Sequence, residues 1–377
     1  MIGASSRRRF LFLYSETGAG HRSGALAVRE ALQRRHGPEV EITLCDGLQT
    51  LDQWPFDRFP RWWPAMTRLG GAPWGAFYGL TNHPPVPQVL ARLLLPLTAG
   101  PVARLLAAHP AEVVVSFHPL FTHTFGLILQ RHYPTTPLVS VVLDLVSIHA
   151  AWCAPVCARI FVPTAEAAAR ALAWGMAPER VICAGLPVQS RFVTAARLDP
   201  AVARARLGLP EQPPVVLVTG GGDAPGPLLR LVRAVRRAAP QAQLVVVTGH
   251  NAALRKTLAA REPGVRVEGF VGNMELWSRA ADVLLTKAGP NTLAEALIMG
   301  LPMVLYQAIP GEETGNVKWV VSRGAAMWAP HPQRAAEAVA AVLADSDRRA
   351  GMQAAALALA RPAAADVIAA ALWQLVA

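Results

Sequence analysis

Residues 286–316, TKAGPNTLAEALIMGLPMVLYQAIPGEETGN, read as turn, helix, strand and second turn in immediate succession. Ala288, Gly289 and Pro290 make the first turn, and the helix behind it carries Glu295. Gly300 and Pro302 stop that helix, a buried strand runs from Met303 to Tyr306, and a polar turn holds Glu312, Glu313 and Asn316. The first helical turn offers backbone N–H groups and the positive end of the helix dipole, a seat for a diphosphate. Glu295, one turn in, is placed to accept hydrogen bonds from vicinal hydroxyls such as those of a ribose. The acidic turn then faces whatever the diphosphate carries. These features suggest a nucleotide-sugar site. An ordinary helix–strand unit with a capped helix carries the same local pattern, so the segment alone leaves both readings open.

Outward from this segment, short apolar runs alternate with helical Ala/Leu/Arg-rich stretches. Strands are expected at Phe10–Tyr14, Glu41–Leu44, Val113–Ser116, Leu138–Leu143 and Ile160–Val162. The pattern restarts after Pro213 with Val215–Thr219, Leu244–Thr248, Val265–Glu268, Val283–Thr286 and Met303–Tyr306. Near-continuous Val/Ile/Leu strands separated by helices imply parallel sheets covered on both faces. The restart implies two doubly wound α/β domains, with the boundary between Gly185 and Pro213. Ligands of such sheets bind beyond the carboxyl ends of the strands, so two domains would face each other across a cleft.

The chain has 377 residues and a formal net charge of +11, with lysine scarce beside arginine. That balance favours anionic partners such as phosphorylated ligands or anionic lipid headgroups. The charge is spread out, however, and no nucleic-acid motif is recognisable. A coding bias toward arginine and alanine would give the same excess. No apolar run is expected to span a bilayer, because Arg92, Pro96 and Asp144 cut the candidates. Arg7–Arg9 followed by Phe10–Tyr14 mimics a signal peptide, but the run is short, and it reads as a first strand. The four cysteines (Cys45, Cys153, Cys157, Cys183) form no CxxC pair, which suits a reduced, cytosolic compartment.

Residues 52–87 break the pattern. Trp54, Trp62, Trp63, Trp74, Phe77 and Tyr78 are interleaved with Arg58, Arg61 and Arg68. Tryptophan and tyrosine favour the headgroup region of a bilayer, and arginine pairs with phosphate. The stretch reads either as an interfacial flap on an anionic membrane or as a hydrophobic cap on its own domain.

Three further turns bear on chemistry. The first strand runs into Thr17-Gly18-Ala19-Gly20-His21-Arg22-Ser23-Gly24, where the glycines allow a tight turn and the helix start favours anions. His21 lies at the lip of that helix, where a general base in a cleft would be, and the nearby helix N-terminus lowers its pKa. A structural cap is the plainer alternative. Gly220-Gly221-Gly222-Asp223 follows the first strand of the second half and suits backbone contacts to phosphate. Gly269-Phe270-Val271 could present backbone groups to a base edge. His118, His123, Asp144 and His149 follow consecutive strands of the first half. His149, Cys153 and Cys157 have helical spacing, but no fourth ligand is evident and no metal site is expected. Asp345-Ser346-Asp347, the sole DxD triplet, reads as a solvated helix cap rather than a metal-chelating site.

Taken in order, these pieces resemble the monogalactosyldiacylglycerol synthase / processive diacylglycerol glucosyltransferase group of glycosyltransferase family twenty-eight. The likeness rests on TGAGHRSGA (Thr17–Ala25), DLVSIHAAW (Asp144–Trp152), GGGDAPGP (Gly220–Pro227), GFVGNM (Gly269–Met274) and, most specifically, residues 286–316. It implies a GT-B fold and inverting transfer of a hexose from a UDP-sugar to a membrane lipid, with diacylglycerol the expected acceptor. Carried over, Glu295 would hold the uridine ribose. Ala288, Gly289, Asn291 and Thr292 would bind the diphosphate with Gly221 and Gly222. Phe270 and Val271 would contact uracil. Glu313, with Glu312 and Asn316, would hold sugar hydroxyls. His21 would be the base and Asp144 its catalytic companion, with Gly20 and His149 on the acceptor side. Trp62, Trp63, Trp74, Arg61 and Arg68 would meet the membrane. The chain departs from the group's pattern at Ala19, Asn291, Glu312 and Gly272, where glycine, glycine, glutamine and aspartate are usual.

The expected organisation is an acceptor and membrane domain over residues 1–190 with a flap at 52–87. A UDP-sugar domain follows over 191–360, and a C-terminal helix over 361–377 could return to the first domain. The expected partners are UDP-sugar, anionic lipids and the lipid acceptor, without nucleic acid. No cofactor or metal is expected to be required, and attachment is expected to be peripheral, at the cytoplasmic face of the membrane. A UDP-sugar epimerase and a non-catalytic UDP-sugar-binding protein are the readings from other classes. Within the group, N-acetylglucosamine transfer to a polyprenyl-linked acceptor is the alternative.

Overall fold

The computed structural model describes residues 7–16, 19–51, 71–221 and 227–376. They form two compact units. The first comprises 1–190 with Pro310–Glu312 and Arg361–Ala377, and the second comprises 191–309 and 313–360.

The first unit is built on a six-stranded parallel sheet of order β2-β1-β3-β4-β5-β6. Its strands are β1 (Arg8–Tyr14), β2 (Val40–Asp46), β3 (Val113–Ser116), β4 (Leu138–Val141), β5 (Arg159–Val162) and β6 (Val181–Cys183). The central strands β3 and β4 are buried at every position, as expected for a sheet covered by helices on both faces. The expected strands all form. The sixth, β6, is a half-exposed edge strand of three residues, too short to show periodicity. Helix Ala364–Trp373 belongs to this unit and lies against helix Ala19–His36. Arg34 donates to Asp366 at 2.6 Å, and the His36 and Trp373 rings stack at 3.7 Å.

The second unit repeats the plan with order β12-β11-β10-β7-β8-β9. Its strands are β7 (Val215–Thr219), β8 (Gln243–Val247), β9 (Arg266–Glu268), β10 (Val283–Lys287), β11 (Met303–Gln307) and β12 (Ala326–Trp328). Again the strand without a sequence signal, β12, is a three-residue edge. Val216, Val218, Leu285 and Val304 from the sheet pack with Leu231 and Val235 of helix Leu228–Ala238 in one buried cluster. The DxD triplet caps helix Ser346–Leu359, where Asp345 Oδ1 accepts from the Arg348 N–H at 2.9 Å.

In each sheet the first strand has neighbours that leave in opposite directions. The switch points lie between β1 and β3 and between β7 and β10. There the loops beyond the carboxyl ends diverge and leave a crevice, which is where open α/β sheets bind ligands.

One expectation needs correction. Arg92 and Pro96 do not interrupt the apolar run near residue 90. Helix Pro85–Ala108 passes through both, with Pro96 and Pro101 inside it, and is long and apolar enough to cross a membrane by length and composition. Only a third of its apolar window is buried. Tertiary contacts from one side hold the helix together despite two missing N–H donors.

Burial of imidazoles makes the first unit acid-sensitive. His118 and His123 are 4% and 7% exposed. Loss of solvent lowers both, His123 to about 4. Below pH 6.5 the unfolded chain binds protons at these sites that the folded chain does not. Stability therefore falls as pH drops from 6.5 toward 4, by up to about 1.4 kcal/mol per pH unit for each histidine. Urea midpoints measured at pH 7, 6 and 5 should decline steadily; a level midpoint contradicts this account.

Candidate active site

In the first unit the switch point between β1 and β3 gathers the acid–base groups. His21 stands in the first turn of helix Ala19–His36, directly after Gly20, and is half-buried. Its Nδ1 lies 2.8 Å from the Phe117 carbonyl oxygen, just beyond β3. A carbonyl only accepts, so Nδ1 carries the proton and Nε2 carries the lone pair. Desolvation lowers His21 to about 4, against a smaller opposing pull from the Phe117 carbonyl. The ring is thus a neutral base at physiological pH, oriented by one hydrogen bond. The His118 ring stands edge-on to it at 4.4 Å, and Trp152 lies at 6.2 Å.

Asp144 follows β4, is 9% exposed, and accepts from Trp152 Nε1 at 2.7 Å. Trp152 therefore ties Asp144 to the neighbourhood of His21, a link that spacing did not reveal. His149 uses both ring nitrogens inside the unit. Nδ1 accepts from the Ala151 N–H at 3.1 Å, and Nε2 donates to Thr81 Oγ1 at 3.1 Å. Asn82 Oδ1 accepts from Ala150 N–H at 2.8 Å. These bonds clamp the end of helix Ala72–Thr81 onto residues 149–151. Trp74, on the same helix, donates through Nε1 to Glu312 at 3.0 Å, and Tyr78 OH donates to the Ser147 carbonyl. Burial pushes the Tyr78 phenol well up, and Asp144 and Glu312 add to the effect. Trp62, Trp63, Arg61 and Arg68 lie outside the described residues.

In the second unit the switch point between β7 and β10 gathers two glycine turns and a lysine–glutamate pair. Gly221 ends the described part of the turn after β7 with φ of 82°, a conformation suited to glycine; Gly222 lies outside the described residues. After β10, Gly289 is the N-cap of helix Pro290–Met299 and offers no side chain to cap it. Asn291 and Thr292 occupy the first turn. Gly300, with φ of 61°, closes the helix by directing backbone N–H groups to the Ala296 and Leu297 carbonyls.

Between the two turns lies Lys287, one of only three lysines in the chain. A Cβ on Gly221 would stand 3.2 Å from Lys287 Cε, and one on Gly289 would stand 3.3 Å from its Nζ. Both glycines thus make room for an ammonium group. Lys287 Nζ pairs with Glu313 Oε1 at 2.6 Å, and Glu313 Oε2 accepts from the Ile309 N–H at 2.9 Å. Glu313 is 1% exposed, so the ion pair is largely out of water. Asn316 donates to the Ala288 carbonyl at 3.0 Å. Its Oδ1, and Gln307 Oε1 on β11, are buried acceptors without a partner among the described residues. Lys287 and Gln307 escaped sequence reasoning. The available signal for Lys287 was a rare lysine at a strand end beside a glycine turn.

Glu295 lies in the second turn of the helix, half-buried, and loss of solvent pushes its carboxyl up to about 8. Arg191 opposes that shift and Glu275 adds to it. A carboxyl held mostly protonated at neutral pH can both donate to and accept from a diol. Phe270 and Val271 follow β9, two strands from β7. Phe270 is 64% exposed and stacks on His250 at 4.5 Å. Among the described residues no three His, Cys, Asp or Glu side chains are grouped to hold a metal. Burial pushes Cys153 up to about 12 and Cys157 higher still, so both are thiols at neutral pH.

Residues 21–188 match the monogalactosyldiacylglycerol (MGDG) synthase family model, and residues 215–368 match the glycosyltransferase family 28 C-terminal domain. The chain is 35% identical over 347 residues to the probable monogalactosyldiacylglycerol synthase 2, chloroplastic, of rice. The alignment covers 89% of this chain and 74% of the relative. This chain belongs to the monogalactosyldiacylglycerol synthase family. It is a UDP-sugar-dependent glycosyltransferase with a GT-B fold. Among solved structures, MurG of Acinetobacter baumannii superposes with a TM-score of 0.63 at 14% identity, covering 97% of this chain and 99% of MurG. Anabaena HepE in complex with UDP gives 0.60 at 15% identity, covering 98% and 100%. At such identities these two structures speak for the fold alone.

Proposed function

We propose that this chain transfers galactose from UDP-galactose to the free hydroxyl of diacylglycerol, with inversion at the anomeric carbon. The observation that carries the reading is the His21 tautomer. Nδ1 is spent on the Phe117 carbonyl, which leaves Nε2 to take the acceptor's proton as its oxygen attacks from the face opposite UDP. The departing diphosphate gains negative charge. Lys287 and the N–H groups of the first turn of helix Pro290–Met299 would receive it.

In this reading Glu295 holds the ribose, Phe270 and Val271 hold uracil, and Glu313 with Asn316 reads the sugar. The buried oxygens of Asn316 and Gln307, without a partner among the described residues, support a ligand rich in hydroxyl donors. Glu312, engaged by Trp74, would bear on the sugar through the turn it shares with Glu313. The rice relative, a probable monogalactosyldiacylglycerol synthase, favours galactose as the sugar, and the UDP bound in the Anabaena HepE structure favours UDP as its carrier. Attachment is proposed as peripheral. Phe77 and Leu80 of helix Ala72–Thr81, and the exposed leucines of helix Pro85–Ala108, would meet the lipid surface.

The test is incubation of the purified chain with UDP-galactose or UDP-glucose and anionic vesicles containing diacylglycerol, followed by mass spectrometry of the lipids. Monogalactosyldiacylglycerol as the main product is expected. A preference for UDP-glucose overturns the sugar assignment. An altered sugar nucleotide without any glycolipid supports an epimerase instead.

A further inference from the structure

The turn that follows β9, Gly269-Phe270-Val271-Gly272, is thinly held. The Phe270 ring rests on His250 at 4.5 Å. The backbone of the turn, however, forms no hydrogen bond with other backbone among the described residues. A Cβ built on Gly272 would meet nothing within 4 Å, so packing does not wedge the turn at that point either. A segment with so few constraints samples several peptide orientations unless a side chain fixes it. Arg191 is that side chain: its Nη1 donates to the Gly272 carbonyl.

Arg191 opens the second unit, on the short helix Ser190–Ala195 and next to Phe192, which is 1% exposed. Its guanidinium lies over the Phe192 ring at 5.6 Å, and its Nε pairs with Glu275 Oε2 at 3.5 Å. Glu275 stands in the first turn of helix Met274–Ala280. Its Oε2 is buried and makes no hydrogen bond among the described residues, so the ion pair is what compensates it. One planar fork thus holds the end of the turn and the helix that follows it, which the single ammonium of a lysine would not do. The same charge favours the ionised form of Glu295. Arg191 therefore acts both on the turn assigned to the base and on the glutamate assigned to the ribose, and the reaction proposed above gives it no role.

A backbone turn that reads uracil offers an N–H to O4 and a carbonyl to N3–H. Cytosine reverses both groups, with an amino group at C4 and a bare N3. A peptide unit free to rotate suits either base. Discrimination therefore depends on the turn keeping its orientation and so presenting the wrong groups to cytosine.

We propose that Arg191 is a positioning residue that sets the preference for uracil over cytosine nucleotides by fixing the orientation of residues 269–272. The inference rests on the assignment of this turn to uracil made above.

Calorimetry of the full chain with UDP and with CDP tests it. The parent should bind UDP more tightly. In Arg191→Met the ratio of UDP to CDP affinity should fall about tenfold, equivalent to about 1.4 kcal/mol. The Arg191 side chain is 45% exposed, so the melting temperature should change little. KM for UDP-galactose should rise while kcat stays within about twofold, because the base lies beyond the diphosphate from the reacting carbon. Amide exchange should quicken at residues 269–272 and not along β7 or β10. Glu275→Gln removes the ion pair and leaves the carbonyl contact; it should lower the ratio about threefold and decides the matter where Arg191→Met folds poorly. A ratio unchanged in the variants that fold, with UDP and CDP weakened alike or not at all, overturns the inference and leaves Arg191 a structural partner of Glu275. A parent chain that binds UDP and CDP equally overturns the uracil assignment itself, and the inference falls with it.

Discussion

His21→Ala should lower kcat for glycosyl transfer by about 10²–10⁴-fold, the usual worth of a positioned general base. KM for the UDP-sugar should change by less than about threefold, because the interaction lost develops with proton transfer rather than with donor binding. The reason is geometric. Nδ1 is committed to the Phe117 carbonyl at 2.8 Å, so Nε2 is the ring atom with a lone pair to offer. The pH profile gives an independent check. Desolvation lowers His21 to about 4, and the base works only when unprotonated. The acid limb of kcat/KM should therefore fall below about pH 5, not at the 6.5 of a solvated histidine. Acid unfolding of the first unit has to be followed in parallel, since His118 and His123 destabilise it over the same range. Undiminished turnover in His21→Ala removes His21 from the mechanism without touching the family assignment.

Lys287→Met should cost stability and donor affinity together. Glu313 is 1% exposed and loses its ion-pair partner in this variant, leaving the Ile309 N–H as its side-chain partner among the described residues. Breaking one side of a buried pair costs about 3–5 kcal/mol. In the proposed reading the diphosphate also loses the ammonium group that sits between the Gly221 and Gly289 turns. The double variant Lys287→Met/Glu313→Gln separates the two effects, because it removes both charges at once. Its melting temperature should recover most of the loss, whereas UDP affinity measured by calorimetry should stay at least about tenfold weaker than in the parent. Recovery of UDP affinity in the double variant would reduce Lys287 to a structural partner of Glu313.

These two residues show how far each level of description reaches. Residues 286–316 announce a glycine turn, a helix stopped by Gly300 and a buried strand, and each of these is local. Positive φ at Gly300 and a run of Val, Leu and Met are settled by the residues that carry them. For the same reason the ten expected strands are visible in the sequence, while β6 and β12, three residues each at sheet edges, are not. The Arg92–Pro96 interruption failed as a rule because helix Pro85–Ala108 is held by packing on one side, which no local propensity reports.

The site divides in the same way. His21, Asp144 and His149 look alike in sequence as polar residues following strands of one sheet. The structure orients one ring on the Phe117 carbonyl, ties another to Trp152, and spends both nitrogens of the third on a helix clamp. The residues concerned are far apart in the chain, Phe117 lying 96 positions from His21, and they meet only because β1 and β3 are neighbours at a switch point. Lys287 and Glu313 meet because β10 and β11 are paired, and burial then makes their charges interdependent. By itself the sequence determined two parallel α/β sheets, the turns at their carboxyl ends and the family. Tertiary structure alone decided protonation, pairing and burial, because hydrogen bonds and desolvation depend on which distant groups come to lie within about 3 Å of one another.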